Sequence, residues 1–389
     1  MIFNYFLIAL YSSGAINQVY AAFVFSIIIL VGKPIFSRNK IIVNGLSSPA
    51  FWIIFLFCLS YVVIGELTVQ GFLYYLLNPC LVFITGWALM DQCGHNLGAV
   101  ITVIKFMALG YGIHALLNYV TNFGRPRWLL TDFFSGEIRA ATGSGAINTL
   151  IFSLLICIIC LEKRIVVKLV GLFFFAVSFL YAFQLGSRTQ FIIMISVNLI
   201  TLFLMIHERS GKWAVVKFAT ILVAVGVFLY LLYSSNFFEI QEAYESSNLA
   251  ARFNDDLSSS DDYRFSSLWR GLITMLDYPL GGLKEESYYH NFWLDIGRIS
   301  GVVPFLIMVT YSFLTFFHVI KLFCDKTLDK KARYVLLSIY LGTLMNFFVE
   351  PILEGLINSF YSFTFLNGLT ESLYRWEYGG AKRLAYRSN

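Results

Sequence analysis

Apolar runs close to the roughly 20 residues a helix needs to cross a hydrocarbon core recur from one end of this chain to the other. They lie near 2–13, 18–32, 50–67, 71–90, 97–120, 144–161, 165–185 and 190–206, and again near 213–233, 299–322, 334–350 and 356–373. The first is short and is interrupted by "SSG". Of the 389 residues 58% are hydrophobic and only 13% charged, a balance no soluble chain of this length shows. The pattern predicts an all-α polytopic integral membrane protein with about twelve transmembrane helices.

Charge gives the expected orientation. The connections "GKPIFSRNK", "EKRIVVK", "HERSGKW" and "CDKTLDKKAR" and the tail "YRWEYGGAKRLAYRSN" are basic, and the positive-inside rule puts all of them in the cytoplasm with both termini. Three regions follow: 1–233 with nine spans and a first external loop near 121–143, a large external loop at 234–298, and 299–389 with three spans and a basic cytoplasmic tail. The large loop is rich in Asp and Glu. The net charge of +5 therefore reports orientation, and nucleic-acid binding has no support. No cleavable signal peptide is expected. None of the six cysteines falls in an external loop, so no structural disulfide is expected, and Cys157 and Cys160 read as helix packing.

Against that topology the unusual cations are those outside. Arg125, Arg127 and Arg139 lie in the first external loop, Arg188 in the tight turn "FQLGSRTQF", and Arg264 and Arg270 in the large loop. Arginine presents a planar, permanently charged fork that binds phosphate oxygens in pairs. Snorkelling for Arg188, interfacial anchoring around Trp128, and surface ion pairs for Arg264 and Arg270 are the competing readings. His114 and Asn118, at i and i+4, suit hydrogen bonding between helices. In "SYYHNFWLDIGRISGVVPF", His290 stands at the mouth of a span; its imidazole suits a general base or a membrane-belt residue. Asp295 and Arg298 either orient it or pair with each other. Glu350, in "FFVEPILEG", is a second candidate base or a cap of the following turn. The acidic "NDDLSSSDD" reads as a solvated loop tip.

The order of long external loop, "RFSSL" and "HNFWLDIGRISG" resembles the bacterial O-antigen polymerase (Wzy) and O-antigen ligase superfamily. Arg264 to Leu268 and His290 to Gly301 fit its ligase spacings, Arg-x3-Leu and His-x10-Gly. Arg125 to Gly136 and Arg270 to Gly281 fit the Arg-x10-Gly of its polymerases. "GSRTQ" resembles its Ser-Arg-Gly motif, with Thr189 departing from the glycine. The resemblance implies a metal-independent class C glycosyltransferase, without cofactor, at the periplasmic face of the bacterial inner membrane. Its donor would be an undecaprenyl-pyrophosphate-linked oligosaccharide and its acceptor a growing O-antigen or capsular polysaccharide. His290, Arg264, Arg188 and Glu350 would be catalytic; Arg125, Arg139, Arg270 and Arg298 would hold pyrophosphate or glycan. The family generally works with a chain-length regulator, which makes one a candidate partner beside membrane lipids. A ligase acting on lipid A core and a flippase of the same glycans are the alternatives. The flippase predicts two structural halves and charges through the mid-membrane interior.

Overall fold

The computed structural model describes residues 2–32, 42–126, 129–138, 145–236, 240–245, 247–254, 257–285 and 287–379, and of 252–265 only the backbone where it is described. Arg127, Trp128, Arg139, Asp255 and Asp256 lie outside the described residues, as does most of the first basic connection and the end of the tail. Among the described residues there is no strand, only an isolated bridge between Thr131 and Ile138.

A helix occupies each of the twelve apolar runs. With the helices of the large loop, α10 to α13, included, the chain order is α1 (Ile2–Ser12), α2 (Gln18–Val31), α3 (Pro49–Gly65), α4 (Val69–Gln92), α5 (Leu97–Thr121), α6 (Gly145–Leu161) and α7 (Ile165–Leu185). There follow α8 (Arg188–Ser210), α9 (Ala214–Ser234), α10 (Ile240–Glu245), α11 (Asn248–Asn254), α12 (Leu257–Asp277) and α13 (Phe292–Ser300). The last are α14 (Val302–Cys324), α15 (Lys330–Val349) and α16 (Ile357–Tyr378). Among the described residues, six helical stretches are long and apolar enough to cross a membrane, counting the nearly continuous Arg188–Ser234 as one. On α9, Val223, Phe228 and Tyr230 are each at least 60% exposed and only Ala214 is buried. A helix apolar on every side and exposed along most of its surface is matched to lipid. The large loop of the sequence reading is mostly helical. Its last helix, α13, is buried throughout, and Gly301 at φ +83° separates it from α14.

The chain forms two compact units. Unit 1 comprises Met1–Gly110, Asp261–Leu336 and Thr343–Asn389. Its principal packing is α4 on α16, where Gly86 faces the Phe365 carbonyl and Gly368 faces the Phe83 carbonyl so closely that neither site has room for a Cβ. Pro79 sits just after a π-helical turn, Phe72–Leu77, and the wider turn accommodates a ring that would clash with the carbonyl four residues back. Buried Asn78 beside it donates to the Val19 carbonyl (2.9 Å) and the Tyr361 hydroxyl (3.3 Å), tying α4 to α2 and α16.

Unit 2 comprises Tyr111–Ser260 and Leu337–Gly342. Ala115, Leu130, Val177, Tyr181 and Leu185 form one of its apolar clusters, and Phe152, Ala182, Phe191 and Leu249 another. Its α6 is interrupted at Leu154. Asn198 of α8 repairs the gap, accepting from the Ile156 N–H (3.0 Å) and donating to the Phe152 carbonyl (2.7 Å). Backbone groups in a lipid-facing bundle need such partners because no water reaches them.

Because Gly368 carries backbone-to-backbone contact, Gly368→Leu is expected to cost at least the 1–3 kcal/mol, roughly, of core overpacking and to lower the Tm of the detergent-solubilised protein. Scanning fluorimetry checks it; an unchanged Tm would remove the contact from the fold's support.

Candidate functional site

In unit 1 the His290 turn is built by its own sequence. Asn291 caps α13 through its side chain, which accepts from the Leu294 N–H at 3.1 Å. One turn in, Asp295 reaches back and accepts the N–H groups of Tyr289 (2.7 Å) and Asn291 (3.2 Å). With the peptides on either side held, His290 is fixed in the left-handed region at φ +52°, a conformation that costs a residue with a Cβ about 1–2 kcal/mol. Asp295 also pairs with Arg298 at 3.5 Å, so it both shapes the turn and meets the arginine.

Two further segments of unit 1 come to this turn. Helix α12 packs on it: Gly271 lies against Tyr289 and Leu294, Met275 joins them in an apolar cluster, and the Tyr289 hydroxyl donates to Thr274 at 3.1 Å. Arg264 falls on α12, its side chain outside the described residues, and Arg270 is exposed on the same helix. The end of α15 adjoins as well, where the Asn291 amide donates to the Phe348 carbonyl at 3.3 Å and the Phe292 and Phe347 rings lie tilted at 4.5 Å. Glu350, two residues beyond Phe348, is buried. The two candidate bases thus stand on joined segments.

The glycines of two sequence spacings meet in the fold. A Cβ on Gly281 (φ +74°) would strike the backbone of Ile299 and Gly301, and one on Gly301 would strike that of Pro279 and Leu280. Around this crossing the Gly282 N–H donates to the Ile299 carbonyl (2.9 Å), Leu283 to Arg298 (3.1 Å) and Val302 to Pro279 (2.9 Å). Arg298 closes the arrangement: its guanidinium, fully buried, donates to the Leu283 carbonyl (2.7 Å), the Lys284 carbonyl (3.1 Å) and Glu354. These contacts fasten the 279–284 return to α13, a fold-building role for a residue the sequence reading counted with the substrate-binding arginines. Burial alone would lower its pKa; the hydrogen bond and charge of Glu354 outweigh that and raise it. Burial lifts Asp295 from the usual 3.8 to about 6, against the pull of the Tyr289 N–H and of Arg298.

In unit 2, α7 ends on left-handed Gly186 and α8 begins two residues later at Arg188. Arg188 is half-buried, and its buried Nη1 has no hydrogen-bond partner among the described residues. Next to it the buried Ser187 hydroxyl also has none, and Gly145 of α6 closes on Ser187 and Gln190. Arg125, exposed, donates to the Thr131 hydroxyl at 3.1 Å. The turn that follows is pinned to α5 by side chains: His114 to Asp132 (3.0 Å), Asn118 to the Phe133 N–H (3.0 Å) and Asn122 to both backbone groups of Thr131 (2.8 Å each). His114 therefore bonds within its own helix and to the loop, where the sequence suggested a neighbouring helix.

Sequence reasoning missed Asp132 and Glu354. They pair across 18 and 56 residues, and neither is marked locally: Asp132 lies within the first external loop and Glu354 between two apolar runs. No protein-family model matches this chain, and no curated protein matches it.

Two outcomes are expected from this geometry. His290→Gly and His290→Ala lose the same imidazole, so they differ only in backbone freedom at φ +52°, and the glycine variant should be more stable by about 1 kcal/mol in thermal melts. Equal melting would deny the strained turn. A carboxyl whose pKa is higher in the folded chain stabilises the fold when protonated, so the Asp295 contribution is complete below about pH 4 and lost as pH rises through about 6, on the order of 3 kcal/mol. Wild-type Tm should fall across that window by an amount that Asp295→Asn removes, and an identical slope in the variant would count against the carboxyl.

Proposed function

We propose that this chain is a membrane-embedded glycosyltransferase of the O-antigen polymerase type. On this reading it crosses the bacterial inner membrane about twelve times with both termini in the cytoplasm, and the His290 turn opens to the periplasm. It joins polyprenyl-pyrophosphate-linked repeat units into O-antigen or capsule. The observation that carries the reading is one junction in unit 1. Helix α12, bearing Arg264 and Arg270, is packed on the turn that holds His290, and the same turn is bonded to the segment leading into Glu350. Residues far apart in the chain thereby share a neighbourhood with a left-handed histidine at its centre, and strained backbone of this kind clusters at reactive sites.

The chemistry asked of these groups is simple. The acceptor hydroxyl attacks the anomeric carbon of the donor sugar, its proton passes to the His290 imidazole, and the bond to the pyrophosphate oxygen breaks. The departing polyprenyl pyrophosphate carries negative charge, which guanidinium groups stabilise. Arg264 and Arg270 are carried by the helix that packs on the turn, and Glu350 is the alternative base. Arg188 and Arg125 of unit 2 are assigned to substrate phosphate by the chemistry of the guanidinium. For Arg188 the partnerless, buried Nη1 favours an anion, since a buried donor left unpaired is costly.

The test is glycan laddering in a strain lacking the gene, complemented with wild type, His290→Ala, Arg264→Ala or Arg188→Lys at matched membrane levels. Loss of the ladder, with lipid A core carrying a single repeat unit, is expected for each variant; Lys fails at position 188 because it lacks the planar fork. A full ladder from His290→Ala would shift the base to Glu350. Long lipid-linked polymer with none on lipid A core would make the protein a ligase.

A further inference from the structure

Unit 2 holds a cavity of about 990 Å³, at the upper end of the roughly 300–1,000 Å³ of small-molecule sites. It opens where the ends of α5, α7 and α9 meet α10 and α11, the short helices of the large loop. Six aromatic rings line it: Tyr119, Phe123, Phe179, Phe183, Tyr233 and Tyr244. Between them stand hydrogen-bonding groups, Arg125, Gln184, Ser247 and Asn248, and the one branched aliphatic side chain in the lining is Leu180.

We infer that this cavity of unit 2 is a saccharide-binding groove, with Arg125 at its edge. The inference rests on the glycosyltransferase reading for which saccharide reaches it; the groove itself rests on its lining. A sugar ring has one or two faces of C–H groups, whose partial positive charge meets the negative face of an aromatic ring, and a rim of hydroxyls that need donors and acceptors. The lining offers both kinds of surface. The Phe179 and Phe183 rings are tilted at 4.8 Å and Tyr244 stands edge-on to Phe183 at 6.5 Å, so rings from α7 and α10 form two walls of one corner. A polyprenyl or acyl chain would be served by branched aliphatics, of which the groove has one. A dense anion would be served by several cations, and Arg125 is the single charged residue in the lining.

A second observation points to a hydrogen-bonding ligand. The Asn248 amide donates to the Gln184 carbonyl at 2.7 Å, which fixes α11 to the end of α7. The Gln184 side chain is less well provided: its Nε2 makes a long 3.5 Å contact to the Tyr119 carbonyl, and its Oε1 is buried with no partner among the described residues. Gln184 lines the cavity, so a small rotation of its side chain would bring this unpaired oxygen to a ligand hydroxyl.

The test is direct binding without turnover. Full-length protein in nanodiscs is titrated with oligosaccharides of one and two repeat units, released by mild acid from the source strain's lipid-linked glycan and followed by saturation-transfer NMR and calorimetry. Wild type should bind, and Phe183→Ala and Tyr244→Ala should each weaken binding by about tenfold, the equivalent of one lost stacking contact. Tyr244→Phe, which keeps the ring, and Val223→Ala, on the exposed side of α9, should bind as wild type does, and Gln184→Leu should weaken binding with the rings in place. No binding by wild type, or equal binding by the ring variants, overturns the groove. So does displacement of the oligosaccharide by farnesyl phosphate with the same variant sensitivities, which would make the cavity a lipid site. A full ladder from His290→Ala would count against the proposed base while leaving these titrations unaffected.

Discussion

Two helices surrounded by lipid gain no hydrophobic energy by touching, so what holds them is contact close enough for dispersion and weak polar attraction between backbones. Unit 1 depends on one such contact. Gly86 and Gly368 each leave space for a carbonyl of the other helix, which brings α4 and α16 together along their lengths. Other helices of the unit join that pair: α2 through Asn78, and α3 through its packing on α4. The same economy of small residues appears where Gly110 meets the Ala9 carbonyl and where Gly65 meets Ser300.

The His290 turn uses a different device, a carboxylate whose two oxygens each take a backbone N–H from either side of the histidine. The carboxyl has two oxygens, so one side chain reaches both donors at once. The arrangement is costly, since the carboxylate is buried and its pKa is pushed up to about 6. It is also rigid, because Arg298 and Glu354 continue it to the 279–284 return. The crossing of Gly281 and Gly301 gives the two spacings a geometric meaning. From Arg270 to Gly281 the chain leaves α12 and arrives at the crossing, and from His290 to Gly301 it traverses α13 and arrives at the same place. Ten intervening residues are what these two paths need, so a spacing that looks like a recognition motif is also a measure of the fold.

Much of this was legible in the sequence, for a physical reason. Hydropathy over about twenty residues reports a helix because lipid admits no other open-ended structure, and each of the twelve runs contains one. Single contacts were not legible. The break at Gly301 looks like the interior of a span because its neighbours, Ile299 to Phe305, are mostly apolar. Asp295 and Arg298 were readable as an i, i+3 pair, yet the backbone that Asp295 clasps leaves no trace in side-chain pattern. Glu350 and Glu354 are equivalent in sequence; the fold gives the second to Arg298 and buries the first beside the Asn291 contact. His114 looked like a bridge between helices, and its partner Asp132 is 18 residues away in a loop.

The distribution of polar groups narrows where chemistry can happen. Inside the helices several are committed to the fold: Asn78 joins α4 to α2 and α16, Asn198 serves interrupted backbone, and Glu371 takes His318 (2.8 Å), Ser48 (2.8 Å) and Arg375 (3.1 Å). A buried charge whose partners are all intramolecular stabilises one conformation and has little capacity left for a ligand. At the helix ends, Arg188 keeps a buried N–H and Gln184 a carbonyl oxygen with no partner among the described residues, and six aromatic rings surround an open volume.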